Sequence, residues 1–306
     1  MTMIVGYAPD ERGAGGLHLA AMLARSANDD LVVCSVVPAP WTPGMARVDA
    51  EYRAYLDKAA DEALEQARQQ LPDGVPARFV RHSARSAPAG LLELAQQHDA
   101  AMVVLGSSSA GPFGHVALGS VTDRLVHSSP VTLAFAPRGL RARAGTRVTR
   151  VTAAYGGTAS AEDLVVAAGT VAARVGAPLR IASFAIWARP PYTMRLGTDS
   201  EEVVFEEWST RIRDSVSQAL AHVEGLSVPP PSVTTVVGKG ATWQDAIEDV
   251  PWEDGEVLVV GSSELGPLAQ VFLGSRATKI LRHSPVPVAV VPRSRAKELA
   301  SRAVHG

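Results

Sequence analysis

The sequence predicts an α/β protein made of two doubly wound five-stranded parallel-sheet domains in tandem. The first observation is a repeat: the stretch from Met102 to Arg138 recurs from Val257 to Arg293, without a gap, 155 positions later. The second is that short apolar runs alternate with helical patterns in both halves, which is typical of strands covered on both faces. The third is that each repeated stretch places a glycine-rich loop between a strand and a helix.

The first half is expected to alternate strands and helices from its first residues. Strands are continuous apolar or β-branched runs, whereas helices repeat apolar residues three or four positions apart. Strands are predicted at residues 2–7, 31–37, 76–81, 102–105 and 131–136, and helices at 11–27, 49–71, 87–98 and from 120 onward. A proline-rich loop at 38–44 separates the second strand from the long helix.

The second half repeats this order. Strands are predicted at 148–155, 179–186, 232–237, 256–260 and 286–291, and helices at 161–175, 200–223, 242–250 and from 275 onward. Thr242 and Asp245 have the spacing of a capping box. We therefore divide the chain into a domain at 1–138, a basic linker at 139–147, a domain at 148–293 and a polar C-terminal tail at 294–306, expected to be frayed or loosely helical.

The two glycine loops, residues 106–119 and 261–274, are the candidate functional elements. Gly106 and Gly261 end a strand, and a helix is expected to begin at Ser120 or Ser275, with Ser120 and Asp123 forming an approximate capping box. Unpaired backbone N–H groups and the helix dipole would together create an anion site. The alternative is that the glycines only form turns and helix caps.

Both stretches resemble the signature of the universal stress protein family, Gly-x2-Gly-x9-Gly-[Ser/Thr], followed by a helix and a Pro-Val-rich strand. The resemblance covers about 290 residues as two copies and implies an adenine nucleotide α-hydrolase-like fold. In the family's ATP-binding members the loop holds the phosphates and ribose. The resemblance therefore implies that this chain binds ATP, with or without Mg²⁺.

The candidate nucleotide contacts lie where the carboxyl ends of parallel strands meet. In the first half they are Ala8, Pro9, Asp10, Val37, Gly106, Ser107, Ser109, Gly111, Gly119, Ser120 and Val121, and in the second half Gly261, Gly274 and Ser275. The family's adenine edge meets backbone near Val37, which requires no particular side chain.

The chain departs from the family pattern at four positions. The second glycine of the signature is Ser109 in the first half and Glu264 in the second, and Ala8 and Gly156 replace the aspartate of ATP-binding relatives. A serine with positive φ costs on the order of 1 kcal/mol. A glutamate beside a polyphosphate is repelled, so the first half is expected to hold the better site. Asp10 follows Ala8 closely, but its position as a helix N-cap already explains it.

Other function classes have little support in the sequence. Gly106-Ser-Ser-Ser-Ala lacks the last glycine of a nucleophile elbow, and no His-Glu-x-x-His or cysteine pair suggests a metal. The net charge of −2 gives no case for nucleic acid or an acidic membrane. The single cysteine, Cys34, and the missing signal peptide favour the cytoplasm.

The expected function is therefore cytoplasmic stress signalling through an adenine nucleotide, with slow ATP hydrolysis at most. The alternatives are a nucleotide-free scaffold acting through protein contacts, and an enzyme of the wider nucleotide hydrolase group. The fifth strands, from Val131 to Ala136 and from Val286 to Val291, are edge candidates that could pair with each other. That pairing would make the chain an internal pseudo-dimer, and further homodimerisation is left open.

Overall fold

The computed structural model describes residues 1–39, 46–187, 216–217, 219–262, 271 and 273–305. In the first half the strands are β1 (Thr2–Gly6), β2 (Asp30–Pro38), β3 (Ala77–Ala84), β4 (Met102–Leu105) and β5 (Thr132–Phe135). The helices are α1 (Glu11–Ala27), α2 (Ala46–Gln70), α3 (Ala87–Gln97) and α4 (Ser120–Leu125). The bounds of α1 and β4 coincide with those predicted from the apolar periodicity.

The second half contains the same alternation. Its strands are β6 (Arg150–Ala154), β7 (Leu179–Ile186), β8 (Val233–Gly240), β9 (Glu256–Gly261) and β10 (Val288–Val291). Its helices are α5 (Ala159–Val175), α6 (Trp243–Glu248) and α7 (Ser275–His283), followed by a C-terminal helix α8 (Arg293–His305). The predicted helix at 200–223 lies mostly outside the described residues, and residues 219–224 at its end are helical.

Ten strands form one continuous sheet within the described residues, in the order β3-β2-β1-β4-β5-β10-β9-β6-β7-β8. Every neighbouring pair is parallel except β5 with β10. Each half therefore has the strand order of a doubly wound parallel sheet, and the predicted fold class is confirmed.

The two halves meet at the centre of this sheet. Strand β10 runs antiparallel to β5, with Val290 opposite Leu133 and Val288 opposite Phe135. The fifth strands thus cover each other's edges, and in the described residues the open edges are β3 and β8. A backbone hydrogen bond of 2.6 Å from Val271 to Ser129 adds a second link between the halves.

Two apolar cores sandwich the sheet, and both continue across the junction. One contains buried residues of α1, α2 and α5, and the other contains buried residues of α3, α4, α6 and α7. Ala134 and Ala289 belong to the first core, whereas Phe135 and Val288 belong to the second, because neighbouring strand residues face opposite sides. The halves therefore share their cores.

The C-terminal segment, expected to be frayed or loosely helical, is an ordered helix. It forms helix α8, which packs against α5. Ala296 and Ala300 are buried and Leu299 is half-buried, so an i, i+3, i+4 stripe faces the core. Of the two expected states, frayed or loosely helical, the structure shows a helix, in which this stripe packs although the rest of the segment is polar. No helix among the described residues has the length and apolarity needed to cross a membrane.

Candidate functional site

The candidate site of the first half lies at the carboxyl ends of β1 and β4. Strand β1 has β2 on one side and β4 on the other, so the strand order reverses between β1 and β4. Open α/β sheets bind ligands in the crevice at such a switch point. Residues 7–10 after β1 and the first glycine loop after β4 flank this crevice.

The segment after β1 turns tightly into α1. The carbonyl of Ala8 accepts a hydrogen bond of 2.8 Å from the Asp10 N–H, and the Asp10 carboxylate accepts one of 3.3 Å from the Gly13 N–H. Asp10 therefore caps α1, as its position in the sequence predicts. A Cβ atom at Gly13 would lie 2.0 Å from the Ala8 oxygen, so this turn requires glycine there. Pro9 is exposed beside it.

Tyr7 connects this segment to the long helix. Its hydroxyl donates to Gln70 Oε1 on α2 over 3.2 Å. Burial, and secondly the nearby Asp10 carboxylate, raise the pKa of the Tyr7 hydroxyl. The phenol therefore stays neutral and acts as a structural contact at the base of the crevice.

The glycine loop closes on itself close to the sheet. Ser107 is buried, and its Oγ accepts a hydrogen bond of 2.7 Å from the Ala117 N–H. The N–H of Ser108 donates to the Ala117 carbonyl over 2.8 Å. Both bonds join the residues just after β4 to those just before α4, which fixes the position of Gly119 relative to Gly106. Ser107 thus has a structural role in shaping the loop.

The far end of the loop is attached to the residue that follows β5. The Arg138 side chain donates from Nη1 to the Gly111 carbonyl over 2.7 Å. Its backbone N–H donates to the His115 carbonyl over 2.9 Å, and its carbonyl accepts from the Gly114 N–H over 3.0 Å. Arg138 recurs as Arg293 in the second copy of the repeat, and this recurrence is the sequence signal for its role.

Gly119 is the N-cap of α4 and has an extended backbone, with φ −101° and ψ −177°. The Thr122 hydroxyl accepts from the Gly119 N–H over 2.6 Å and donates to its carbonyl over 2.9 Å. The predicted capping box of Ser120 and Asp123 is therefore wrong, because the helix begins one residue after the cap at Gly119. Ser120 and Val121 form the first turn of α4.

Ser109 is exposed and does not have the positive φ expected of the second signature position. The left-handed residue of this loop is Gly114, with φ 81°. The serine consequently carries no backbone strain, and its replacement of glycine costs the loop nothing in conformation. Gly111 is constrained instead by packing, because a Cβ there would lie 2.2 Å from Ala117 Cβ.

Strand β2 extends beyond the carboxyl end of β1. The last pair of residues joining them is Gly6 with Cys34, whereas β2 continues to Pro38 and stays paired with β3 throughout. Val37 lies in this extension with its side chain buried. Burial raises the pKa of the Cys34 thiol to about 12, so the thiol stays protonated in the core.

The second half has comparable features at its own strand ends. Gly261 ends β9, Gly274 is the extended N-cap of α7, and Ser275 is its first residue. The Thr278 hydroxyl donates to the Gly274 carbonyl over 3.0 Å. Glu264 and the rest of the loop at 263–270 lie outside the described residues. At Gly156 an added Cβ would meet no atom within 4 Å.

The predicted site residues form two separate groups. Because β5 and β10 are antiparallel, the carboxyl ends of the first-half strands and those of the second-half strands lie at opposite edges of the sheet. Gly261, Gly274 and Ser275 therefore belong to a different site from the eleven candidates of the first half. Within the first half, the glycine loop and residues 8–10 flank one crevice.

This fold and loop define a tandem α/β protein with a glycine loop at the switch point of the sheet. The chain belongs to the universal stress protein family, whose model matches residues 1–137 and 147–292. Universal stress proteins of Mycobacterium tuberculosis and Mycobacterium bovis are 37% identical to it over 296 residues, covering 95% of this chain and 100% of theirs.

Solved structures agree with the fold. The crystal structure of a universal stress protein from Archaeoglobus fulgidus has a TM-score of 0.61 at 17% identity, covering 95% of this chain and 98% of that one. A putative universal stress protein from Pseudomonas aeruginosa has a TM-score of 0.53 at 14% identity, covering 99% and 97%. At these identities the likeness concerns the fold alone.

Proposed function

We propose that this protein binds an adenine nucleotide, ATP, in its first half and acts through it in cytoplasmic stress signalling. The observation that carries the proposal is that neither backbone conformation nor packing requires a glycine at position 119. Membership of the universal stress protein family supports the stress-related role. The signature loop, which holds the phosphates in the family's ATP-binding members, supports the choice of ligand.

Gly119 is a glycine that neither conformation nor packing requires. Its extended φ is accessible to every residue, and an added Cβ would meet only Ser108 at 3.5 Å, an ordinary contact. Gly114, by contrast, needs its positive φ, and Gly111 needs the space taken by Ala117. A main chain that carries no side chain suits a ligand that approaches the backbone closely, as phosphates do.

The residues of the first loop fit a polyphosphate. Residues 106–120 include four serines and no acidic side chain, so nothing in the loop repels an anion. Helix α4 has only six residues, so hydrogen bonds from loop and first-turn groups matter more than the helix dipole. If Mg²⁺ accompanied ATP, phosphate oxygens and water could supply its ligands, because magnesium sites usually keep several waters.

The second half is proposed to bind nucleotide poorly or not at all. Glu264 replaces the second signature glycine there. Two like charges about 4 Å apart repel by about 1–4 kcal/mol for effective dielectric constants of about 80 to 20. This would lower affinity by roughly fivefold to several hundredfold. One ATP per chain is therefore expected.

The test is calorimetric titration of the purified full chain with ATP and Mg²⁺, beside variants at Gly119. Gly119→Asp places a carboxylate at the N-cap, where aspartate favours the helix, so the fold should survive. We expect a loss of affinity of about tenfold or more, whereas the neutral Gly119→Asn should lose much less. Gly274→Asp is the matched control in the second half and should leave binding unchanged.

Each outcome of this titration has a definite meaning. Two equivalent ATP sites would show that the assignment of binding to the first half is wrong. Binding that Gly119→Asp leaves intact would place the nucleotide elsewhere. An absence of heat at millimolar ATP, with a nucleotide-free sample verified by extraction, would remove the proposal.

A nucleotide-free scaffold is the second candidate, and the segment after the first strand of each half favours it. Ala8 and Gly156 replace the aspartate that helps hold adenosine in ATP-binding relatives. Such a protein would act through protein contacts and would show no nucleotide in the extract and no heat in the titration. An alanine-to-aspartate change, Ala8→Asp, would then be expected to create or strengthen ATP binding.

A further inference from the structure

Arg138 joins the glycine loop to the end of the central strand β5. Its guanidinium and both of its backbone polar groups bind loop residues, at Gly111, His115 and Gly114. The Arg138 side chain is half-buried. A planar guanidinium with a fixed donor direction constrains the carbonyl it binds more tightly than a flexible ammonium does.

The following residue strengthens the same attachment. Gly139 has φ 81°, and an added Cβ would lie 2.1 Å from the ring of Phe113. The Phe113 ring therefore lies against the backbone of Gly139, while its other side is exposed, with 73% of the residue accessible. The chain after β5 thus contacts the far end of the loop through residues 138 and 139.

The two ends of the loop are held by different parts of the chain. Near the sheet, Ser107 and Ser108 bind Ala117, and these bonds stay within the loop. At the far end, the bonds from Arg138 cross to residues 111–115 from outside the loop. Removal of the Arg138 guanidinium would therefore release the Gly111 carbonyl, while the backbone bonds to residues 114–115 and the closure near the sheet stay in place.

We propose that Arg138 is a positioning residue for the nucleotide phosphates, an inference that rests on the proposed ATP site. Its guanidinium acts through the loop backbone: by holding the Gly111 carbonyl, it keeps this part of the loop in the conformation that receives the phosphates. Binding of the adenosine part of ATP should not depend on this attachment. Loss of the guanidinium should consequently affect ATP far more than adenosine.

The experiment compares ATP and adenosine binding to the full chain, by calorimetry, for wild type, Arg138→Met and Arg138→Lys. Methionine keeps the length and apolar body of the side chain but cannot donate to Gly111. We expect Arg138→Met to weaken ATP binding about tenfold or more, with adenosine affinity unchanged within about twofold. Arg138→Lys, which can still donate to Gly111, should recover part of the loss.

Arg293 provides the matched control, because it holds the equivalent position of the repeat. Its N–H donates to Ser262 Oγ over 2.9 Å in the second half, so Arg293→Met should leave the ATP affinity of the first half unchanged. Equal losses for ATP and adenosine in Arg138→Met would show a general structural defect and overturn the inference. So would unchanged ATP affinity.

Failure of the proposed function is seen separately, in the wild-type titration. If the wild type binds ATP and Arg138→Met discriminates as expected, both proposals hold. If the wild type binds ATP and the variant binds it equally well, only the role of Arg138 is removed. Absence of wild-type binding overturns both.

Discussion

Arg180 and Glu256 form an ion pair in the interior of the second half, where their side chains are 4% and 0% exposed. Both also bind the Thr152 hydroxyl, and Arg180 donates from Nη1 to the Pro251 carbonyl over 2.8 Å. The strand registers place three apolar residues at the equivalent positions of the first half: Ile4, Val32 and Ala101.

This difference between the halves predicts how the pair contributes to stability. Glu256→Ala leaves the Arg180 guanidinium buried without its partner, and we expect the free energy of unfolding to fall by about 3–5 kcal/mol. The triple change Thr152→Ile, Arg180→Val and Glu256→Ala installs the first-half residues. It should restore most of the loss or exceed the wild-type stability.

Urea unfolding of the three proteins tests this prediction. Glu253→Gln is the control, because Glu253 binds Arg150 at the surface over 2.6 Å and should contribute less than about 1 kcal/mol. A triple variant less stable than Glu256→Ala would show that the network stabilises the half rather than replacing an apolar core.

The shared cores predict that the two halves unfold together. Cys34 lies in the core of the first half and should react with a thiol reagent only when that half opens. Trp252, whose indole N–H donates to the Ile247 carbonyl over 2.8 Å, reports on the second half by fluorescence. Trp41 is the single tryptophan in the sequence of the first half, so Trp41→Phe leaves fluorescence from the second half alone. In this background, thiol reactivity and tryptophan fluorescence should follow the same urea transition. Thiol exposure at a lower urea concentration would mean that the first half unfolds by itself.

His18 predicts an acid-sensitive contact between α1 and the linker. Burial lowers its pKa, the positive charge of Arg141 lowers it further, and a hydrogen bond with the Ala142 backbone opposes both. Its buried Nδ1 has no hydrogen-bond partner among the described residues. The unfolded chain therefore takes up the proton first as the pH falls.

The free energy of unfolding is therefore unaffected by His18 above about pH 6.5, the ordinary pKa of histidine. It decreases as the pH falls below that value, because the unfolded chain binds the proton more tightly. Urea unfolding at pH 7.5 and pH 5 measures this loss, and His18→Gln should reduce the difference. His127, an exposed histidine, gives the control variant His127→Gln, which should keep the wild-type difference. An identical loss in the His18 variant would rule out this histidine as its source.

Ser107 predicts a link between loop geometry and stability. Ser107→Ala removes the acceptor of the Ala117 N–H in a buried position, so we expect a loss of about 1–3 kcal/mol in the free energy of unfolding. ATP affinity should fall as well, because the closure that positions Gly119 is weakened. Ser109→Ala, at the exposed serine two residues later, should leave the free energy of unfolding unchanged. Comparable effects of the two changes would contradict this assignment.

Local patterns in the sequence were sufficient for the fold. The periodicity of α1 gave its bounds from Glu11 to Ala27, and the capping box of Thr242 and Asp245 is present, because both depend on residues a few positions apart. The cap of α4 was misassigned by one residue. The spacing suggested Ser120 as the N-cap and Asp123 as its partner, whereas the structure uses Gly119 and Thr122.

Contacts between distant residues could not be predicted in the same way. Arg138 binds Gly111 across 27 positions, and nothing in the spacing indicates which carbonyl a guanidinium will reach. Glu256 at the start of a strand is typical of an exposed position, whereas the structure buries it against Arg180 from another strand. The nucleotide site itself remains a prediction, since glycine spacing alone cannot separate a ligand cradle from a turn.

The antiparallel junction of β5 and β10 has a consequence for how the two crevices can diverge. In an assembly of two identical chains, any substitution is copied into both sites at once. Here the two crevices are encoded by different parts of one chain, and they lie at the opposite strand ends of a shared sheet. Glu264 can therefore be acquired in one half while the other keeps a small serine at Ser109. Each half can therefore change its own glycine loop without changing the loop of the other.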